Sequence, residues 1–290
     1  MSIARSGIRW RAVLIACGVV LLLPYLAMVG WLKWNEPTLV FQAAMSKGPS
    51  VFRDLPPPYV HAAEIRLPSG QALEGYSLEP DSAQDRGYWI LHLHGNAESA
   101  NYSGQFAHAK ALRDLGFHVL AFDYRGFGAS PGEASEQNVY EDAEAAYQFL
   151  VRQGIRDNRI ILWGHSLGSG PAVELATRHA VAALVLFGAF TSVPGRGAEL
   201  YPWLPVRWIT GIRFDNLARI SAIKAPVVIA HSEADRIIPV SHAERLFAAA
   251  REPKRLLRLK PTVDDGFGGH YGAAYEQLDK VIPVLELALR

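Results

Sequence analysis

An apolar run, Arg159-Ile160-Ile161-Leu162-Trp163, leads into Gly164-His165-Ser166-Leu167-Gly168 and then into Pro171-Ala172-Val173-Glu174-Leu175-Ala176. The first stretch reads as a buried strand and the last as a helix, so Gly-x-Ser-x-Gly falls on a sharp strand-to-helix turn. Such a turn forces the serine into a backbone geometry that only small neighbours permit. It also lifts the hydroxyl clear of the sheet, where a base can reach it. Glycine and serine are common in ordinary turns, so the five residues alone decide little. The strand before and the helix after make Ser166 a candidate nucleophile.

The surrounding sequence repeats this alternation. Glu64 to Leu67 and Ala72 to Leu78 flank Pro68-Ser69-Gly70-Gln71 and predict a hairpin. Strands are predicted at Trp89–Leu93, Phe117–Phe122, Val181–Phe187, Pro226–Ala230 and Arg255–Leu259. Helices are predicted at Ala107–Leu115, Val139–Arg152, Ser241–Ala250 and Ala273–Leu289. Strands alternating with helices of this length imply an α/β fold, a mainly parallel sheet covered on both faces. Chemistry in such sheets gathers beyond the carboxyl ends of the strands. The rhythm breaks between Phe190 and Lys224, where Tyr201-Pro202-Trp203-Leu204-Pro205-Val206-Arg207-Trp208-Ile209 reads as a small cap over the site. Trp203, Leu204, Trp208 and Ile209 either line an acyl pocket, touch lipid, or pack the cap onto the core.

At the N-terminus, Ala12 to Leu32 is almost continuously apolar and uncharged, about the length a helix needs to span a bilayer. Arg5, Arg9 and Arg11 precede it, and only Lys33 closely follows, with Glu36 nearby. The positive-inside rule places the N-terminus in the cytoplasm and the large domain outside, periplasmic in a bacterium. A cleaved signal peptide would need a shorter apolar core and a small-x-small site, and Trp31-Leu32-Lys33-Trp34 is a poor one. Leu14-Ile15-Ala16-Cys17 resembles a lipoprotein cleavage site, but the apolar run continues well past it. The expected organisation is an anchor over 1–34, an extended connector over 35–59 containing Pro56-Pro57-Pro58, and a catalytic domain over 60–290 with its cap at about 190–224.

A net charge of +1 without basic blocks gives no footprint for nucleic acid. The single cysteine, Cys17, excludes an intrachain disulfide and a cysteine-rich zinc site. The ten histidines show no close metal-ligand spacing, so neither a metal nor a cofactor is expected.

A serine hydroxyl needs a base to take its proton and an acid to orient that base. The candidate acid is Asp235, in the turn after the strand at Pro226–Ala230, with Glu233 as its rival. The candidate base is His270, in the loop Gly266-Phe267-Gly268-Gly269-His270-Tyr271-Gly272 between the last strand and the last helix. His242 competes but lies early in a predicted helix. An oxyanion hole needs two backbone N–H donors. Leu167 should supply one, and Asn96, in His94-Gly95-Asn96-Ala97-Glu98, the other; the alternative is a plain turn capping the next helix. Asp123-Tyr124-Arg125-Gly126-Phe127-Gly128 marks another tight turn, in which Asp123 and Arg125 are expected to bond neighbouring loops.

These four loops, in this order, resemble the α/β-hydrolase superfamily of serine hydrolases over about residues 60–290. His94-Gly95-Asn96-Ala97, Asp123 to Gly128 and Gly164 to Gly168 look most like a membrane-associated branch of single-pass hydrolases, protein depalmitoylases and monoacylglycerol or lysophospholipid lipases. The resemblance implies Ser166, Asp235 and His270 as a triad, with Asn96 and Leu167 at the oxyanion hole. His231 departs from the pattern, which often has glycine after this strand. The expectation is a membrane-anchored hydrolase of an ester or thioester with an apolar acyl part. The alternatives are acyl transfer or peptide cleavage by the same residues, and a non-catalytic membrane-tethered binding module.

Overall fold

The computed structural model describes residues 4–47, 58–260, 266–272 and 276–290. It holds an eight-stranded sheet in the order β1-β2-β4-β3-β5-β6-β7-β8. The hairpin β1 (Val60–Arg66) and β2 (Ala72–Leu78) is antiparallel, and β2 joins β4 (His118–Phe122) antiparallel as well. From β4 onward, β3 (Trp89–Leu93), β5 (Ile160–His165), β6 (Ala183–Phe187), β7 (Val227–Ser232) and β8 (Lys254–Leu259) all run parallel. Every residue of β5, β6 and β7 is buried, as a strand covered on both faces requires, which is why these strands read as apolar runs until the polar residues at the carboxyl ends of β5 and β7.

On one face lie α4 (Glu136–Arg152), α5 (Ser169–Arg178) and α9 (Ser241–Ala249), packed through residues such as Val139, Ala143, Val173 and Leu246. Ser135 caps α4 by accepting from the Asn138 N–H, and Val139, Ala143, Ala146 and Leu150 keep one face of the helix on the sheet. On the other face lie α3 (Ser103–Asp114) and α10 (Leu278–Ala288), through Leu112, Val281 and Leu285. The helix predicted from Ala273 contains Leu278–Ala288, and its start at residues 273–275 lies outside the described residues. Three short helices, α6 (Val193–Leu200), α7 (Val206–Ile209) and α8 (Asn216–Ile220), fill the interval between β6 and β7.

The N-terminal helix α1 spans Ala4–Trp34, and its part from Trp10 to Trp34 is long and apolar enough to cross a bilayer. The extended connector expected over 35–59 is corrected in its first part. Glu36–Phe41 forms α2, and Ala43–Ser46 a further helical turn. Pro37 sits in the first turn, where its missing N–H costs nothing, and Phe41 is buried among Phe127 and Phe214. The core of the α/β domain thus takes in a residue from before position 60. Of the other prolines of that stretch, Pro49, Pro56 and Pro57 lie outside the described residues.

Candidate active site

The turn after β5 carries Ser166 with φ +49°, a left-handed value that a non-glycine residue adopts only when its surroundings impose it. The two glycines explain how the turn fits. A Cβ on Gly164 would stand 2.7 Å from the Gly168 carbonyl oxygen, and one on Gly168 would reach 2.0 Å from that of Leu93. The elbow is therefore pressed against the end of β3, where the loop from His94 to Glu98 begins.

His270, in the loop between β8 and α10, turns its Nε2 to the Ser166 Oγ at 3.1 Å and its Nδ1 to the Asp235 Oδ2 at 2.7 Å. All three residues are buried, at 5% exposure or less for Ser166 and His270 and 8% for Asp235. Asp235 Oδ1 accepts the backbone N–H groups of Ile237 and Ile238, each at 2.8 Å, which fixes the carboxylate. Burial opposes the charge on Asp235, but bonds from His231 and His270 outweigh it and hold the carboxyl well below the usual range. Burial pushes His270 below its ordinary value, more strongly than Asp235 pulls it up, and a nearby charge on His165 acts in the same direction as burial. A neutral imidazole with Nδ1–H on Asp235 leaves Nε2 free to accept a proton from the serine.

The rivals are placed elsewhere. Glu233 points its backbone N–H at Leu259 and its side chain is exposed. His242 bonds Glu199 of α6 at 2.8 Å and Thr191 at 3.0 Å, tying the cap to α9.

The His94–Glu98 loop closes over the serine. A Cβ on Gly95 would lie 3.2 Å from the Ser166 Cβ. Among the described residues the Asn96 backbone N–H donates to no other group, while its side-chain amide donates to the Val40 carbonyl at 3.4 Å. Leu167 follows Ser166 in the chain, and Asn96 follows Gly95, the loop residue that approaches it. Asp123 receives Ser99 Oγ at 2.9 Å and the Ala100 N–H at 2.7 Å, holding the segment that follows this loop. Arg125 bonds Asp142 and Glu141 of α4 rather than a loop.

Four residues that no motif singled out as functional also shape the site. Glu98 Oε2 accepts the Gly95 N–H at 2.6 Å and faces His165 Nδ1 at 3.3 Å, while His165 Nε2 donates to the His270 carbonyl at 3.0 Å. One buried pair therefore joins the loop over Ser166, the elbow itself and the base loop. Burial works against charge on both, but each partner outweighs it: Glu98 is held below, and His165 above, its ordinary value. His231 Nε2 lies 2.7 Å from the Ile238 carbonyl and 3.2 Å from Asp235 Oδ2, the same carboxylate oxygen that meets His270. Gly188, after β6 with φ +52°, has no side chain because a Cβ would stand 3.1 Å from the imidazole Cε1. The sequence offered one signal for these four, the histidine at 231 where glycine is usual.

The cap residues divide. Leu204 is buried and Ile209 half-buried beside an apolar groove, whereas Trp203 is 59% and Trp208 90% exposed. A larger groove lies elsewhere, against α4 and α5, and is lined by charged residues of both signs such as Arg125, Glu144 and Arg178.

Comparison with known proteins places these features in context. The family model for serine aminopeptidases S33 (Hydrolase_4) matches residues 87–218. An uncharacterized Mycobacterium tuberculosis protein, Rv2307c, is 41% identical over 192 residues, covering 66% of this chain and 67% of that protein. The lysophosphatidylserine lipase ABHD12 of Danio rerio is 34% identical over 186 residues, 58% of this chain and 48% of that protein. Among solved structures, the α/β hydrolase GrgF from Penicillium sp. sh18 superimposes with a TM-score of 0.62 at 20% identity, covering 79% of this chain and 99% of its own.

Proposed function

This chain belongs to the α/β-hydrolase superfamily and is an esterase- or lipase-like hydrolase, and on that footing we propose that it is a membrane-anchored serine hydrolase cleaving esters or thioesters with an apolar acyl part. Ser166 Oγ attacks the acyl carbonyl while His270 Nε2 takes its proton. Asp235 holds the imidazole through Nδ1–H and stabilises the imidazolium that forms. The backbone N–H groups of Asn96 and Leu167 receive the oxyanion of the tetrahedral intermediate. His270 then protonates the leaving alcohol or thiol, leaving an acyl-serine. Water, deprotonated by the same imidazole, releases the acid and restores the serine.

One observation carries this reading: a continuous hydrogen-bonded line from Asp235 through His270 to a serine held at φ +49°. The anchor is α1, with arginines on its N-terminal side, an arrangement that favours a cytoplasmic N-terminus and a catalytic domain on the other side of the membrane.

A fluorophosphonate probe tests the mechanism. Labelling of the wild type and none of Ser166→Ala is expected, with loss of ester hydrolysis by roughly 10⁴-fold or more. Equal labelling of the two proteins overturns the proposal and leaves the non-catalytic module. Because the matching family model is that of serine aminopeptidases, aminoacyl 4-nitroanilides are the comparison substrates. Turnover of 4-nitrophenyl esters without turnover of the anilides supports the ester reading over the peptidase one, and added alcohol acceptors would reveal acyl transfer by the ester they form.

A further inference from the structure

Between the end of α1 and the cap lies a narrow apolar groove of about 140 Å³. Leu32, Leu39 and Val40 form one wall, and Val193, Leu204 and Ile209 the other. Its polar rim is already satisfied. Lys33 Nζ meets Glu36 at 2.8 Å, and Glu36 Oε1 accepts the backbone N–H groups of Gly211 and Ile212, each at 2.8 Å. Those bonds pin the cap to α2.

The two ends of the groove meet different surroundings. Its inner end is Val40, whose carbonyl takes the Asn96 side chain, and the next carbonyl, that of Phe41, takes the Ala97 N–H at 3.2 Å. Val40 therefore ties one side of the groove to the loop that closes over Ser166. Its outer end is Leu32, within the apolar part of α1. Between Trp10 and Trp34 only Tyr25, Met28, Val29 and Leu32 are partly covered, a single helical face, and the Tyr25 hydroxyl donates to the Trp203 carbonyl at 3.3 Å. Tyr25 stands nine residues before the end of α1, roughly 13 Å along its axis. The cap thus reaches down alongside the anchor, and the exposed rings of Trp203 and Trp208 extend that surface.

Resting on the hydrolase reading above, we infer that this groove is the acyl-chain site: a lipid ester enters it laterally from the bilayer, between α1 and the cap, and its chain lies along Leu39, Val40 and Ile209 while its carbonyl reaches Ser166. The occupant is an apolar chain because Leu32, Leu39, Val40, Val193, Leu204 and Ile209 make up much of the lining. The helix that holds the protein in the membrane would then form one wall of the binding site.

The test uses the full-length protein in phosphatidylcholine vesicles, with Leu39→Trp and Ile209→Trp filling the groove from opposite walls. The readout is the ratio of kcat/KM for 4-nitrophenyl decanoate to that for the acetate. Each variant is expected to lower the ratio at least about tenfold, the equivalent of losing the burial of about two methylenes. An unchanged ratio, whether both rates persist or fall together, overturns the inference. Independently of folding in those variants, Ser166→Ala in its otherwise native sequence should bind cis-parinaric acid and release it to decanoic acid but not to acetic acid; absence of binding also overturns it. Failure of the wider reading is a separate result, namely a wild type that no fluorophosphonate labels.

Discussion

The Ser166 hydroxyl is set in place by a backbone angle, and the imidazole facing it by the absence of an atom. Gly188 leaves room where any side chain would press on His270, so Gly188→Ala should lower kcat by about tenfold to a hundredfold with little change in KM. Circular dichroism of the variant should match the wild type, and an unaffected kcat would show that the imidazole has slack. The pH profile of kcat/KM carries a second expectation. With the neutral imidazole as the proposed base, activity should be lost as pH falls through the His270 pKa. Because burial and the His165 charge hold that pKa below 6.5, the midpoint of the acid limb should lie below pH 6.5. Glu98→Gln removes the carboxylate that keeps His165 charged, and the limb should move to higher pH, towards the ordinary value. A limb that stays put would mean that the Glu98–His165 pair acts on geometry alone. Ser166, Asp235 and His270 could be named as candidates because each follows a recognisable strand in a fixed chain order. Glu98, His165 and Gly188 could not, because each acts through a neighbour that only the closed sheet brings near.

At the scale of elements, the strands were readable from their composition and α2 was not. A strand buried on both faces is apolar along most of its length, and the bodies of β5, β6 and β7 announce themselves in that way. The six residues of α2 are too few for a helical period to emerge, and a proline near its start resembles the beginning of an extended stretch. Its stability comes from packing, chiefly the edge-to-face contacts of Phe41 with Phe127 and Phe214, at 6.4 and 6.1 Å between ring centres. Phe41→Ala should therefore cost about 3–5 kcal/mol, a fall in melting temperature of roughly 10 °C. Thermal unfolding in detergent micelles measures this, and a change of a degree or two would place α2 outside the core. The groove between α2 and the cap was likewise hidden, since its walls come from residues 32–40 and 193–210. The cap sequence had left pocket, lipid contact and plain packing open for its four large residues; the fold assigns Leu204 and Ile209 to the groove wall and Trp203 and Trp208 to the surface.

Across the whole molecule, a single residue, Asn35, separates α1 from α2, and α2 is fastened to the domain by Phe41 and by Glu36. With α1 in a bilayer, such a joint gives the catalytic body no leash. It could not swing out to meet material on a facing surface, however abundant, and would harvest only the leaflet in which it stands. Turnover would then follow how crowded that leaflet is with substrate, not how much substrate the suspension contains. Vesicles that carry the protein should lose their own ester lipids while protein-free vesicles mixed among them keep theirs, and breakdown in both populations would show that the joint yields.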